Sequence, residues 1–180
     1  MYLQRNLTHS ELISTVIALV EAERFKDYHF RDESRIESAL GTYAPVAACG
    51  VEPWWTTVGE VSGIVKAVLE ANRHQKTDPL SINLWMYASD KEIERFGFTS
   101  DNGKIGPTDD EVDLKITIST SHRSKRRTRK PYTLTIFNFG LDKDHYDDKN
   151  QYRREQRKYD KWQKEIADVI TEILKRSAET

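Results

Sequence analysis

The residues best placed to do chemistry in this chain are cations. The run His122-Arg-Ser-Lys-Arg-Arg-Thr-Arg-Lys130 holds six fixed positive charges in nine residues and no acid. Arg123, Lys125, Arg126, Arg127, Arg129 and Lys130 repel one another, and a dense array of phosphates relieves that repulsion while releasing counterions. Arginine outnumbers lysine four to two, which suits bidentate contact with phosphate oxygens. The run therefore predicts contact with the backbone of a nucleic acid. A solvated loop is the plain alternative, since charge runs without apolar residues do not order themselves.

A second set of cations lies near the C-terminus. Between residues 149 and 164, seven Lys and Arg stand against Glu155 and Asp160. Arg153, Arg157 and Lys161 recur at steps of four, which puts them on one face of a helix. Tyr152, Tyr159 and Trp162 lie beside that face, and rings interleaved with cations suit a single strand whose bases stack. The adjacent Trp54 and Trp55 point in different directions in most backbone conformations. Either one of them offers a flat surface for stacking a base or anchoring a partner, or both cover the edge of a small core, which the usual burial of tryptophan favours.

Catalytic chemistry finds less support. Asp113-Leu-Lys115 follows Asp109, Asp110 and Glu111, and its acid-x-lysine strand resembles the one that PD-(D/E)xK nucleases use with magnesium. Three residues are a short pattern, and both side chains alternate onto a polar face where solvent exposure explains them. The histidines at 9, 29, 74, 122 and 145 lack metal-ligand spacing, and no serine sits in a nucleophile elbow. Asp101-Asn-Gly-Lys104 has the residues of a turn but not of a calcium loop, whose third and fifth positions would be Gly103 and Ile105. Cys49 is the only cysteine and reads as a small core residue, which excludes an internal disulfide. No catalytic residue, metal or cofactor is assigned.

Hydrophobic residues make up 37% of the 180-residue chain and charged residues 32%, so one domain with a modest core and a heavily charged surface is expected. The net charge of −1 conceals an asymmetry: residues 1–111 carry 11 Lys/Arg against 18 Asp/Glu, and residues 112–180 carry 17 against 11. A chain so divided can meet a polyanion through one side only. The N-terminus lacks the pattern of a signal peptide, and no apolar run is long enough for a bilayer, so a cytoplasmic location without membrane contact is expected.

The elements that must position these groups can be read from periodicity. Thr8-His-Ser-Glu11 has capping-box spacing and opens a helix with Leu12, Ile13, Val16, Ile17, Leu19 and Val20 on its apolar side, ending near Lys26. Asp32 to Gly41 reads as a short helix, and Thr57 to about His74 as a longer one whose Gly59 and Gly63 admit a close neighbour. Leu80 to Ala88 alternates as a strand, with Trp85 and Tyr87 turned away from Leu80, Ile82, Leu84 and Met86; Asp90 to Phe96 reads as a short helix.

Val112 to Phe139 reads as one long hairpin with the cations at its tip. On its first strand Val112, Leu114, Ile116 and Ile118 alternate with Asp113, Lys115, Thr117 and Ser119. On its second, Tyr132, Leu134 and Ile136 share a face, and Thr133, Thr135, Phe137 and Phe139 take the other. A helix over about 145–177 closes the chain, with Tyr152, Tyr159, Trp162, Ile166, Val169 and Ile173 at near-heptad steps. That stripe serves either the chain's own sheet or a dimer, and the shortness of the heptad run favours a monomer over a homodimer.

The sequence thus predicts a single α+β domain over 1–180, with N-terminal helices, a small antiparallel sheet including the hairpin of 112–139, and the long last helix. The expected function is non-enzymatic binding of DNA or RNA through phosphates. A protein-interaction or regulatory module, using the tryptophans or the last helix to engage a protein partner, is the first alternative. A metal-dependent nuclease is the second.

Overall fold

The computed structural model describes residues 1–32, 35–37, 43–45, 54–56, 80–98, 113–120, 130 and 132–177. The fold is α+β: helices packed on one face of an antiparallel sheet, with a long C-terminal helix. Eight strands pair: β1 (Tyr2–Leu7), β2 (His29–Asp32), β3 (Arg35–Glu37), β4 (Tyr43–Pro45), β5 (Trp54–Thr56), β6 (Leu80–Tyr87), β7 (Asp113–Thr120) and β8 (Tyr132–Phe137). The main path runs β1-β8-β7-β6-β2-β5, while β3 pairs β4 and the early part of β6. The expected hairpin is present as β7 and β8, in register from Lys115 opposite Phe137 to Thr120 opposite Tyr132.

Three helices complete the described fold: α1 (His9–Val20), α2 (Asp90–Phe96) and α3 (Lys149–Arg176). The capping box at α1 forms as the sequence predicts. The Thr8 hydroxyl accepts the Glu11 N–H at 3.3 Å, and the Glu11 carboxylate accepts the Thr8 N–H at 2.7 Å. The helix stops at Val20 and not near Lys26, because Ala22 is extended and a 3₁₀ turn over Glu23–Phe25 follows. That break drops Phe25 and Tyr28 into the core. Ser89 caps α2, and Gly97 ends it in the left-handed region at φ 70°, which favours glycine.

The short helix expected from Asp32 is not formed: β2 and β3 occupy His29–Asp32 and Arg35–Glu37. Pairing to β6 and β4 supplies those residues with long-range partners that a local cap and glycine signal could not reveal. The N-terminal strand β1 was also unannounced, since Arg5 and Asn6 interrupt its alternation and it gains its place by pairing with β8. The expected helix from Thr57 to His74 lies outside the described residues.

Inside the sheet, Phe30, Leu84, Met86, Leu114, Ile116, Ile118, Leu134 and Ile136 are buried with Leu12, Val16, Leu19 and Val20 of α1. From α3 come Tyr159, Trp162, Ile166, Ile170 and Leu174. The α3 stripe steps by three and then by fours, so it drifts off the expected heptad as a straight helix should. Val169 and Ile173 are half-buried at its edge, and Tyr152 leaves the sheet altogether to meet Tyr146 edge-on at 5.4 Å.

Polar contacts fix the ends. Asn138 accepts hydrogen bonds from the Met1 amine at 2.9 Å and from Gln163 at 3.1 Å, and donates to the Tyr159 hydroxyl at 2.5 Å. Burial holds that amine below its ordinary value. Arg24 makes a two-point ion pair with the buried Glu92 and lies 3.6 Å from Glu165, which also binds Arg95 at 2.7 Å. These pairs tie the α1 end, α2 and α3 together. Among the described residues, no helix is long and apolar enough to cross a membrane.

Candidate nucleic-acid interface

Thr120 and Tyr132 stand directly opposite each other, so the eleven residues between them leave and re-enter the sheet at one point. Those eleven residues carry all six cations of the basic run. Arg123, Lys125, Arg126, Arg127 and Arg129 lie outside the described residues. Lys130 is exposed at the root, where its ammonium pairs with Glu11 of α1 at 3.1 Å. The Glu11 carboxyl is held below its ordinary value, first by the Thr8 backbone N–H and then by Lys130. The helix cap is therefore also the anchor of the hairpin's second strand.

The second cation array is well separated from Lys130. Arg153, Arg157 and Lys161 are exposed on α3 as expected, with Lys161 over the Phe96 ring at 5.9 Å. Lys130 meets Glu11 at the start of α1, whereas Arg24, beyond the end of α1, meets Glu165. The C-terminal half of α3 lies along α1, where Val169, Ile173 and Arg176 share a groove with Ser14, Ala18 and Ala22. Its cationic N-terminal half extends past the far end. The twelve residues of α1 span about 18 Å, so Lys130 and the α3 cations lie toward opposite ends of that helix.

Between these ends runs the sheet face that carries neither α1 nor α3. Cross-strand partners in an antiparallel sheet share a face. The register therefore assembles one row across six strands: Tyr2, Phe137, Lys115, Trp85, Arg31 and Trp55. Phe139 joins it just beyond β8, with its ring stacked at 5.9 Å on Trp85 and edge-on to Phe137 at 5.4 Å. Tyr87 also stacks on Trp85, at 6.3 Å, and receives a hydrogen bond from Arg31 at 3.4 Å. The Lys115 ammonium lies 4.6 Å from the centre of the Trp85 ring. Tyr2 is 65% exposed and Phe139 68%.

The rest of this face is neutral and hydrogen-bonding. Toward the hairpin tip come Gln4, Thr135, Thr117 and Asn83, then Asn6, Thr133 and Ser119. Thr117 donates to Asn83 and Thr133 donates to Asn6, each at 3.1 Å. Asp113 is the sole acid at the outward positions of β1, β2, β6, β7 and β8, and it is buried at 1% exposure; β3 carries Glu37 at such a position. That burial corrects the expectation of a solvent-facing Asp113. Lys115 is half-buried against Trp85 and is likewise not freely solvated. Asp109, Asp110 and Glu111 lie outside the described residues.

In the backbone register of β5, Trp55 pairs with Arg31 and Trp54 with Asp32. What the sequence reading missed was the assembly of Tyr2, Phe137, Phe139, Trp85, Lys115 and Arg31. The signal was present strand by strand, in the alternation that turned Trp85, Tyr87, Phe137 and Phe139 away from the core. Only the register showed that they meet. Set against known protein families, curated proteins and solved structures, the chain matches none.

Proposed function

We propose that this protein binds nucleic acid without cleaving it, holding the phosphate backbone through the cationic connection between β7 and β8. The observation that supports this reading is the pairing of Thr120 opposite Tyr132, which makes the connection bearing six cations leave and re-enter the sheet at one point. Concentrated fixed charge gains most from a ligand that releases condensed counterions, and phosphate chains do this. Arg153, Arg157 and Lys161 stand far from Lys130, so they contribute only to a ligand long enough to pass along the sheet. The use of Tyr159, Trp162 and Ile166 inside their own chain supports a monomer. The single cysteine supports a cytoplasmic location.

Binding of labelled DNA and RNA across a salt series tests the proposal. Six phosphate contacts give a slope of log affinity against log salt of magnitude about 4 for a single strand and about 5 for duplex DNA. Arg126→Ala with Arg127→Ala should weaken all sequences alike and lower the slope by about one for each lost contact. Unchanged affinity and slope in this variant would remove the support for the reading.

A second reading, metal-dependent cleavage, is favoured by one observation: Asp113 is buried two residues before Lys115 on the same sheet face. A carboxylate kept from solvent beside a lysine is a combination that cleavage chemistry can use. Incubating the protein with labelled nucleic acid and magnesium or manganese decides between the two. Cleavage that is lost in Asp113→Ala would establish the second reading, and intact substrate supports the first.

A further inference from the structure

We infer that the outward sheet face is a stacking surface for unpaired nucleobases, which makes single strands the preferred ligand. The inference rests on the nucleic-acid reading above, but on different residues. Tyr2 and Phe139 are the two large apolar side chains left exposed among the described residues, and both belong to one row. A lone exposed ring is ordinary, whereas here Tyr2, Phe137, Phe139, Trp85 and Tyr87 lie side by side at one end of the face. Among the described residues, neither α1 nor α3 packs against these rings.

Charge complementarity identifies the occupant. The chain has 29 Asp and Glu, yet the outward positions of β1, β2, β6, β7 and β8 hold one acid, Asp113, and it is buried. Lys115 and Arg31 are interleaved with the rings in the same row, at spacings set by adjacent strands. Lys115 makes no ion pair among the described residues; its ammonium is held over Trp85. An apolar peptide would need the rings without this cationic interleaving, and a basic partner would be repelled by it. Bases stacked on rings with phosphates beside lysine and arginine satisfy both features. In a duplex the bases already stack on each other, so their faces are not available.

The face also leads to the cationic connection. From Lys115 the outward residues Thr117 and Ser119 follow along β7 to Thr120, where the connection begins, a path of roughly 17 Å at strand rise. The hydroxyl and amide groups along it, including Thr133, Thr135 and Asn83, are neutral and half-buried. A strand laid on the rings can run over them to the six cations without passing an acid.

The test compares a mixed-sequence single-stranded DNA oligonucleotide with the same oligonucleotide annealed to its complement, by fluorescence anisotropy. Wild type should bind the single strand more tightly. Phe139→Ala should weaken the single strand about tenfold and leave the duplex unchanged, Tyr2→Ala should act in the same direction, and Phe139→Trp should retain affinity. Arg126→Ala with Arg127→Ala should weaken both forms. Equal affinity for the two forms, or no effect of Phe139→Ala and Tyr2→Ala on single strands, overturns the stacking surface while the phosphate reading stands. No binding of either form by wild type overturns both. Both ring variants change exposed side chains, so circular dichroism should show an unaltered fold.

Discussion

The two faces of this sheet are made from alternate residues of the same strands, yet each follows its own rules. Along β7, Leu114, Ile116 and Ile118 are buried against helices, while Lys115, Thr117 and Ser119 between them stay partly open. The inner face is dry and apolar, and its aromatic groups, Trp162 and Tyr159, are fully buried with their polar atoms hydrogen-bonded. The outer face also gathers aromatic rings, but around cations, and leaves Tyr2 and Phe139 mostly exposed. The inner rings are explained by burial. The outer rings are not, and this contrast is what directs attention to a ligand.

Mutations can sharpen the contrast, and the largest effect belongs to the inner face. Trp162 is fully buried and donates to the Tyr28 hydroxyl at 3.3 Å. Trp162→Ala should cost about 3–5 kcal/mol, visible as a collapse of the urea midpoint. A change below about 1 kcal/mol would mean that α3 does not seal the core as described.

Neighbouring residues of one strand give a cleaner comparison. Ile116→Ala should cost about 2–5 kcal/mol, through lost burial and the cavity left behind. Thr117→Ala removes one cross-strand hydrogen bond and should cost about 1 kcal/mol. Similar losses at the two sites would show that the outer face is as tightly packed as the inner.

Proton linkage probes the inner face without mutation. Burial, followed by the Glu92 charge, pushes the Tyr28 hydroxyl well above its ordinary value of 10.0. The folded chain therefore keeps a proton that the unfolded chain releases. Tyr28 contributes its full stability below about pH 10 and loses it as the pH rises beyond that. Denaturation midpoints measured from pH 8 to 11 should fall at the alkaline end. Tyr28→Phe should flatten that part of the curve, and an unchanged slope in the variant would place the effect elsewhere.

The smallest effect is expected at the most exposed ring. Phe139→Ala should leave folding stability within about 0.5 kcal/mol of wild type, because so little of the ring is buried. A larger loss would mean that Phe139 serves the fold and not a ligand.

Sequence by itself determined what is local or periodic. The Thr8–Glu11 cap, the alternation of β6, β7 and β8, the α2 segment and the length of α3 all depend on spacing within a few residues. The cationic run was legible for the same reason, since charge density needs no fold to be counted. Tertiary structure alone decided β1, β2 and β3, whose short segments become strands by pairing with distant ones. It also decided that Lys130 is tied to Glu11, away from the α3 cations. Alternation told which residues leave the core, one strand at a time. Register, set by hydrogen bonds between strands far apart in the chain, brought Tyr2, Phe137, Lys115, Trp85 and Arg31 into one row, because only pairing determines which outward residues become neighbours.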